Sequence, residues 1–167
     1  MSDIIQTQDT RREFIDTLIE LAEKDDRIVL MVPDVGFNYI EEFRKKFPDR
    51  FFNLGVTEQS AITIAAGLAL AGMKPYVYSM INFVIFRPHE MVRNAVCLHN
   101  ANVKIIGVKG STAYRFLGFS HNLLHEEEDL NICKNIGLQY YVPQSLPEVK
   151  DVIIKSYNSQ KATYIRL

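Results

Sequence analysis

The sequence predicts an α/β fold, a three-layer sandwich in which helices cover both faces of a mostly parallel central sheet of about six strands. Short apolar runs alternate along the chain with segments whose apolar residues recur at helical spacing. Runs such as 28–32 and 103–108 are apolar at nearly every position, which is typical of strands covered on both faces. With 167 residues, 47% of them apolar, the chain is long enough for one domain with a substantial core.

The same patterns predict each element in order. A stripe of Phe14, Leu18 and Leu21 at helical spacing predicts a first helix over residues 10–24. The other helices are predicted over 39–46, from 58 towards 72, from 86 or 87 to 99, over 126–135 and over 146–157. Strands are predicted over 28–32, 51–54, 74–80, 103–108, 139–142 and 162–167. The intervening segment 109–125 contains glycines, serines and aromatics, and we expect a long functional loop there.

Composition excludes several classes of function. The net charge is −1, so the chain lacks the basic character of proteins that bind nucleic acids or anionic membranes. The first residues do not resemble a signal peptide, and no apolar run approaches the length of a membrane span. Cys97 and Cys133 each lie in an apolar helical pattern, which indicates buried free thiols. We therefore expect a cytoplasmic protein.

Four segments follow predicted strands and should meet at one edge of the sheet, because ligands of parallel sheets gather at the carboxyl ends of strands. They are Asp34, the turn 55–58, the segment 80–86 and the loop 109–125. No glycine-rich dinucleotide or phosphate-loop motif and no GxSxG motif occurs. His121 and His125 could bind a metal together with the acids that follow, but those acids more simply begin a helix, and no metal site is predicted.

The turn at 53–60, NLGVTEQS, joins a strand to a helix that opens on Glu58. Thr57 is an ordinary N-cap residue, and an acid in a first helical turn is often only structural. The body of this helix is apolar or small almost all round, which predicts a helix buried inside the fold. A carboxylate between apolar packing and helix-terminal N–H groups can also serve as a catalytic group. Both interpretations remain open on these residues alone.

Several motifs in the right order give the chain a resemblance to a known family. They are FNLGVTEQSA at 52–61, AAGLA at 65–69, SMINF at 79–83, HEMVRN at 89–94 and EDL at 128–130. Together they resemble the pyrimidine-binding domain of transketolase-like enzymes that depend on thiamine diphosphate. The resemblance covers nearly the whole chain and implies the pyrimidine-type thiamine-diphosphate-binding fold, with residues 1–167 as a single domain.

The resemblance implies a role for each matching residue. Glu58 matches the glutamate that hydrogen-bonds N1′ of the aminopyrimidine and so promotes removal of the C2 proton of the thiazolium. Phe83 matches the aromatic residue that stacks on the pyrimidine, and Met80 and Phe86 are its expected walls, although either could instead be core. Asp34 matches an acid near the thiazolium and substrate.

His121 matches the histidine that faces the substrate in this family, and His125 is the alternative because extra residues precede the EDL motif. Arg87 and Arg115 are the candidates for binding a substrate phosphate. No GDG motif of the kind that binds the diphosphate and Mg²⁺ in this family occurs, and nothing matches the family's C-terminal domain.

The resemblance therefore implies a catalytic subunit that needs a separate pyrophosphate-binding subunit, most simply in an α2β2 heterotetramer. That partner would supply the Mg²⁺ ligands, and the helix after Glu58 would partly face another subunit. Ketol transfer between small keto and aldehyde sugar-like substrates is the first expectation. A two-chain decarboxylase or acyloin synthase, a non-catalytic α/β assembly subunit and a flavodoxin-like ligand-binding module are the alternatives.

Overall fold

Six strands form one sheet, and every pairing among the described residues is parallel. The computed structural model describes residues 2–110 and 112–167, with side chains described for 10–110 and 115–167. The strands are β1 Ile28–Val32, β2 Phe51–Asn53, β3 Lys74–Met80, β4 Lys104–Val108, β5 Gln139–Tyr141 and β6 Thr163–Arg166, in the spatial order β2-β1-β3-β4-β6-β5. The predicted α/β fold is confirmed, and the sheet is parallel throughout rather than mostly parallel.

Helices connect these strands. The α-helices are α1 Ser2–Ala22, α2 Glu41–Lys46, α3 Glu58–Leu70, α4 His89–Met91, α5 Glu128–Ile136 and α6 Leu146–Asn158. Two π-helical segments, Asn82–Phe86 and Val92–Leu98, flank the short α4. Short 3₁₀ turns cover Pro48–Arg50 and Thr112–Ser120. None of the described helices has the length and apolar character that would let it cross a membrane.

The core lies in two layers, one on each face of the sheet. Along β1, Val29 and Met31 pack with α3, α5 and the helical region 82–98, whereas Ile28, Leu30 and Val32 pack with α1, α2 and α6. Since successive strand residues point to opposite faces, an apolar residue at every position is what a strand covered on both sides requires. The three-layer arrangement leaves the ends of the strands as the accessible edges of the sheet.

Two predictions about segments near the carboxyl edge were wrong. The helix expected from residue 86 or 87 begins earlier, at Asn82. Its first turns are wide π-helical turns, in which the Arg87 N–H donates to Asn82 O, and Pro88 lies within this helical region. The segment 109–125, expected to lack regular structure, contains the 3₁₀ turns over Thr112–Ser120, broken at Gly118, where φ is 65°. Glycine and serine mark turns in a sequence, but they do not distinguish an open loop from short helical turns.

The helix α3, predicted to be buried inside the fold and to face another subunit in part, is buried on one side only. Ala61, Ile62 and Ala65 are buried against the sheet, but Ile64 and Leu70 on the other side are 47% and 60% exposed. An apolar sequence on every side of a helix predicts that every side is covered. In the single chain, the described residues leave the apolar side chains on this side of α3 exposed to solvent.

Candidate active site

The four segments expected at the carboxyl edge are brought together by direct contacts. In the sheet, β1 lies between β2 and β3, so the chain leaves the ends of β1 and β3 in opposite directions. Such a switch point opens a crevice at the carboxyl ends of the strands. The segments after β1, β2, β3 and β4 all reach this crevice through the hydrogen bonds and ring contacts described below.

Glu58 begins α3 at this edge and is only 4% exposed. The turn before it depends on Gly55, whose φ of 66° lies in the left-handed region that favours glycine. Thr57 precedes the helix as predicted, but it does not cap it, because its hydroxyl donates backwards to Leu54 O at 2.8 Å. The carboxylate therefore lies at the positive end of the α3 dipole, where an anion is favoured.

A cation from another segment completes the surroundings of Glu58. Arg87 Nη1 donates to Glu58 Oε1 at 2.6 Å. Among the described residues, no hydrogen bond reaches the second carboxylate oxygen, Oε2. The Arg87 side chain is 40% exposed, so the pair joins a buried anion to a cation that still reaches solvent. The sequence pointed to Arg87 only as a candidate phosphate ligand, since no pattern links two residues 29 positions apart.

Phe83 connects this ion pair to the predicted histidine. The Arg87 guanidinium lies over the Phe83 ring, 4.4 Å from its centroid. The imidazole of His121 also packs edge-on against Phe83, with 4.9 Å between the ring centroids and 87° between the ring planes. Among the predicted walls, Phe86 is half-buried and packs against the core, whereas Met80 is half-buried at the end of β3. Glu58, Phe83 and His121 thus form one continuous group through Arg87.

Asp34 is linked to the turn before Glu58 by an asparagine. The Asp34 N–H donates to Asn53 Oδ1 at 3.1 Å, and Asn53 Nδ2 donates to Asp34 Oδ1 at 3.3 Å. Asn53 Oδ1 also accepts from the Gly55 N–H at 3.0 Å. Asp34 is exposed and has a φ of 55°. Asn53 therefore fixes both the conformation after β1 and the turn that leads into α3.

The side chain of Asn82 anchors the loop that carries His121. Asn82 Nδ2 donates to two carbonyls of the loop, Phe119 O and Asn122 O, each at 3.2 Å. Gly110 approaches the His121 carbonyl so closely that a Cβ at that position would collide with it. Sequence reasoning included both residues only as parts of longer segments and predicted neither contact, because such contacts depend on how the chain folds.

His121 itself has a local partner. The Ser120 hydroxyl lies 2.7 Å from His121 Nδ1 and donates to Leu117 O at 3.0 Å. The contact with Ser120 Oγ engages Nδ1, and no hydrogen bond from the described residues reaches the other ring nitrogen, Nε2. His125, the alternative, is exposed, and its carbonyl accepts from the Glu128 N–H. Of the two histidines, His121 is the one that the structure places against Phe83.

The EDL motif has a supporting function in the fold. Glu128 Oε2 accepts the Leu124 N–H at 2.8 Å and so closes the segment after His121. Asp129 is fully buried and accepts from Tyr164 Oη at 2.6 Å and from Arg166 Nη1 at 3.1 Å. Burial, together with the charge of Asp129, raises the pKa of Tyr164 well above its usual value. These bonds fasten the start of α5 to β6.

Metal and thiol chemistry find no support in the described parts of the chain. Within residues 2–110 and 112–167, no group of three or more His, Cys, Asp and Glu side chains is arranged to hold a metal ion. His121 and His125 lie outside any helix and do not share a helix face. Both cysteines are free thiols, as predicted, but only Cys133 is buried and Cys97 is half-buried. Burial raises the pKa of Cys133 to about 12 and raises that of Cys97, so neither is an activated nucleophile.

Comparison with known proteins gives a consistent answer. A family profile described as "Transketolase, pyrimidine binding domain" matches residues 6–167. One of the subunits of apulose-4-phosphate transketolase from Phocaeicola vulgatus is 33% identical over 159 residues, which are 94% of this chain and 50% of that protein. The 1-deoxy-D-xylulose-5-phosphate synthase of Listeria monocytogenes is 35% identical over 143 residues, which are 84% of this chain and 23% of the synthase.

A solved structure agrees with these relatives. The chain described as "Split gene transketolase, inactive beta4 tetramer" superposes with a TM-score of 0.82 at 31% identity, covering 95% of this chain and 50% of that one. The present chain thus spans half, or less than half, of the length of these three proteins. The profile match over residues 6–167 and the identity to the Phocaeicola protein show that this chain belongs to the transketolase family, as a pyrimidine-binding domain.

Proposed function

We propose that this chain is the pyrimidine-binding catalytic part of a split, thiamine-diphosphate-dependent transketolase-like enzyme, in which Glu58 activates the cofactor. The observation that carries the proposal is the buried Glu58 carboxylate at the start of α3, whose partner Arg87 lies over the Phe83 ring against which His121 packs. A buried carboxylate beside an exchangeable cation and an aromatic ring is suited to proton transfer with a flat heterocycle.

The described residues fit the pyrimidine half of the cofactor. An aminopyrimidine is a flat ring with hydrogen-bonding nitrogens, and the site offers an aromatic face at Phe83 and a carboxylate at Glu58 within reach of one planar group. The Arg87 guanidinium, which is itself planar and rich in N–H donors, already contacts both. The described residues offer no acidic cluster for the Mg²⁺ of a diphosphate, so we assign those ligands to a partner.

Each residue then has a physical task. When bound, thiamine diphosphate supplies the carbanion chemistry that the protein cannot provide by itself. Glu58 holds a proton between its carboxylate oxygen and N1′ of the pyrimidine, and burial excludes the water that would compete for that bond. Phe83 fixes the plane of the ring by stacking. His121, with Nδ1 bonded to Ser120 Oγ, presents Nε2 for a hydrogen bond to the substrate.

A separate pyrophosphate-binding subunit is the second part of the proposal. The Phocaeicola relative is by its name one subunit of a transketolase, and the present chain spans half of that relative. The exposed apolar side of α3, with Ile64 and Leu70, lies on the helix that begins with Glu58 and offers a surface for a pyrophosphate-binding partner. We place the active sites at the interfaces of an α2β2 heterotetramer in the cytoplasm, where the partner brings the diphosphate and Mg²⁺ to Glu58.

Ketol transfer with small keto or aldehyde sugars is the reaction that we propose first, because the Phocaeicola relative and the structural match are transketolases by name. The resemblance to 1-deoxy-D-xylulose-5-phosphate synthase favours an acyloin-type condensation as the second candidate. Both reactions need the same carboxylate and the same stacked ring. They differ in the substrate side of the crevice, where His121 lies.

The test is a Glu58→Gln variant that is co-purified with its pyrophosphate-binding partner and titrated with thiamine diphosphate and Mg²⁺. Loss of a positioned acid–base group should lower turnover about 10²- to 10⁴-fold, while the exposed Glu90→Gln control on α4 keeps wild-type turnover. Retention of most activity in Glu58→Gln would refute the role of Glu58. Tight binding of the whole cofactor by this chain alone would refute the split arrangement.

A further inference from the structure

We propose that Arg87 occupies the pyrimidine position in the cofactor-free chain and must be displaced before the aminopyrimidine can bind. This inference rests on the proposed function, because it concerns the same carboxylate and the same aromatic ring. Arg87 would then influence cofactor affinity because the cofactor must displace it, and not because it contacts the bound cofactor.

One guanidinium satisfies both recognition groups at once. It donates to Glu58 Oε1 at 2.6 Å, and its central carbon lies 4.4 Å from the centroid of the Phe83 ring. A pyrimidine that stacks on that ring while bonding to that carboxylate needs the same volume. The guanidinium is planar and delocalised and carries N–H donors at its rim, so it reproduces the features by which a ring with a protonated nitrogen would be recognised.

The two arrangements also compete for one carboxylate oxygen. Arg87 Nη1 already donates to Glu58 Oε1 at 2.6 Å, whereas the proposed function requires that oxygen to share a proton with N1′. The same carboxylate oxygen cannot be fully paired with Arg87 and also share a proton with a ring nitrogen. The ion pair of the free chain and the working contact of the loaded enzyme therefore exclude each other at Oε1.

Arg87 has a path out of the crevice. Its side chain is 40% exposed, so the charged head can turn into water without crossing the core. Its backbone is fixed, because the Arg87 N–H donates to Asn82 O in the π-helical turn. Displacement thus needs only rotation of the side chain. Ordinary side-chain rotations of this kind are fast compared with catalytic turnover.

The consequence is a lower apparent affinity for the cofactor. When the competent state is only a fraction of the population, the apparent dissociation constant rises by the inverse of that fraction. A partly exposed ion pair with a cation–π contact favours the state in which Arg87 pairs with Glu58 over the open state by roughly five- to tenfold. Removal of the guanidinium should therefore tighten cofactor binding by the same factor.

The experiment uses the complex with its pyrophosphate-binding partner and measures the dissociation constant for thiamine diphosphate at fixed Mg²⁺ by calorimetry. Arg87→Met, which keeps the length of the stem, should tighten binding roughly five- to tenfold. Arg93→Met is the matched control, because Arg93 lies in the same helical region but donates to Asn94 Oδ1 at 2.7 Å instead of to Glu58. The control should remain within about twofold of wild type.

Weaker or unchanged cofactor binding by Arg87→Met would overturn the proposal. If Arg87 only positioned Glu58, its removal would weaken binding or leave it unchanged, but would not tighten it. In a Glu58→Gln background the ion pair no longer exists, so adding Arg87→Met should change the constant less than about twofold. If Arg87→Met does not assemble, Arg87→Lys keeps the charge but loses the planar stack and should tighten binding about two- to threefold.

The wild-type titration separates the two proposals. A wild-type complex that binds no thiamine diphosphate would overturn the proposed function and this inference with it. Normal binding and turnover in wild type, with no gain in affinity in either Arg87 variant, would overturn only the inference about Arg87.

Discussion

Asn82 holds the loop that carries His121, and its replacement by alanine is the sharpest test of how the site is built. The side-chain amide donates to Phe119 O and Asn122 O, both at 3.2 Å, and so joins the end of β3 to the loop after β4. Alanine removes both donors and leaves the helical backbone at position 82 intact. We expect the loop to open more often while the sheet and its helices remain as they are.

The size of the effect follows from the two bonds. A hydrogen bond contributes about 0.5–1.5 kcal/mol net, and these are partly exposed and of ordinary length, so the pair stabilises the closed loop by about 1–2 kcal/mol. Loss of that energy raises the equilibrium constant for loop opening roughly 5- to 30-fold. Amide exchange should report this directly, because the His121 N–H is protected by a bond to Gly118 O at 3.2 Å.

The assay is hydrogen exchange read by mass spectrometry on peptides that cover residues 115–125, with peptides from α3 as the internal reference. Exchange in the loop should accelerate roughly 5- to 30-fold, and the α3 peptides should not change. Asn94→Ala is the matched control, since the Asn94 side chain accepts from Arg93 and not from the loop. Equal loop exchange in wild type and Asn82→Ala would refute the inference that Asn82 holds His121 in place.

Two further predictions concern the scaffold. Asp129→Asn removes the buried carboxylate of Arg166 and leaves it only the more exposed Glu126, at 3.5 Å. We therefore expect the free energy of unfolding to fall by about 3 kcal/mol and the melting temperature by roughly 6–12 °C, measured by calorimetry. The bonds from Arg27 hold the pKa of Asp25 well below its usual value of about 4, so its contribution is complete above that value and is lost as the pH falls below it. In urea unfolding, the stability difference between wild type and Asp25→Asn should therefore shrink from pH 6 towards pH 3. A pH-independent difference would contradict the Asp25 reasoning, and an unchanged melting temperature would contradict the Asp129 reasoning.

Sequence reasoning recovered the fold because the signals for it are local. Most strands of this sheet contain consecutive apolar residues, and segments that favour helices lie between them, so the βα alternation can be counted without knowledge of contacts. What failed was the treatment of segments whose structure depends on neighbours. The π-helical start at Asn82 includes Pro88 inside a wide turn, and the exposed side of α3 depends on which surface covers it.

The residues of the candidate site could be predicted only where they belong to a motif that resembles the family. Glu58, Phe83 and His121 could be named from short stretches that resemble the family, and the structure places them in one group. Arg87 and Asn82 could not be assigned their contacts, because their partners lie 29 and up to 40 residues away in the chain. Periodicity predicts elements, but an arginine on a helix can pair with any carboxylate that the fold brings near. Contacts of this kind become visible only in three dimensions.

The same geometry explains how the Glu58 carboxylate is stabilised although it is buried. A buried carboxylate without a partner would be costly, and Arg87 removes that cost by neutralising the charge while keeping its own head near water. A ligand that replaces Arg87 must therefore supply a donor of its own at Oε1, and a neutral ring that cannot donate there would leave the carboxylate unpaired. Under the proposed displacement of Arg87, the ligand is therefore a flat molecule with an N–H, or with a nitrogen that can share a proton, opposite Glu58. This requirement follows from the Arg87–Glu58 ion pair together with that proposal.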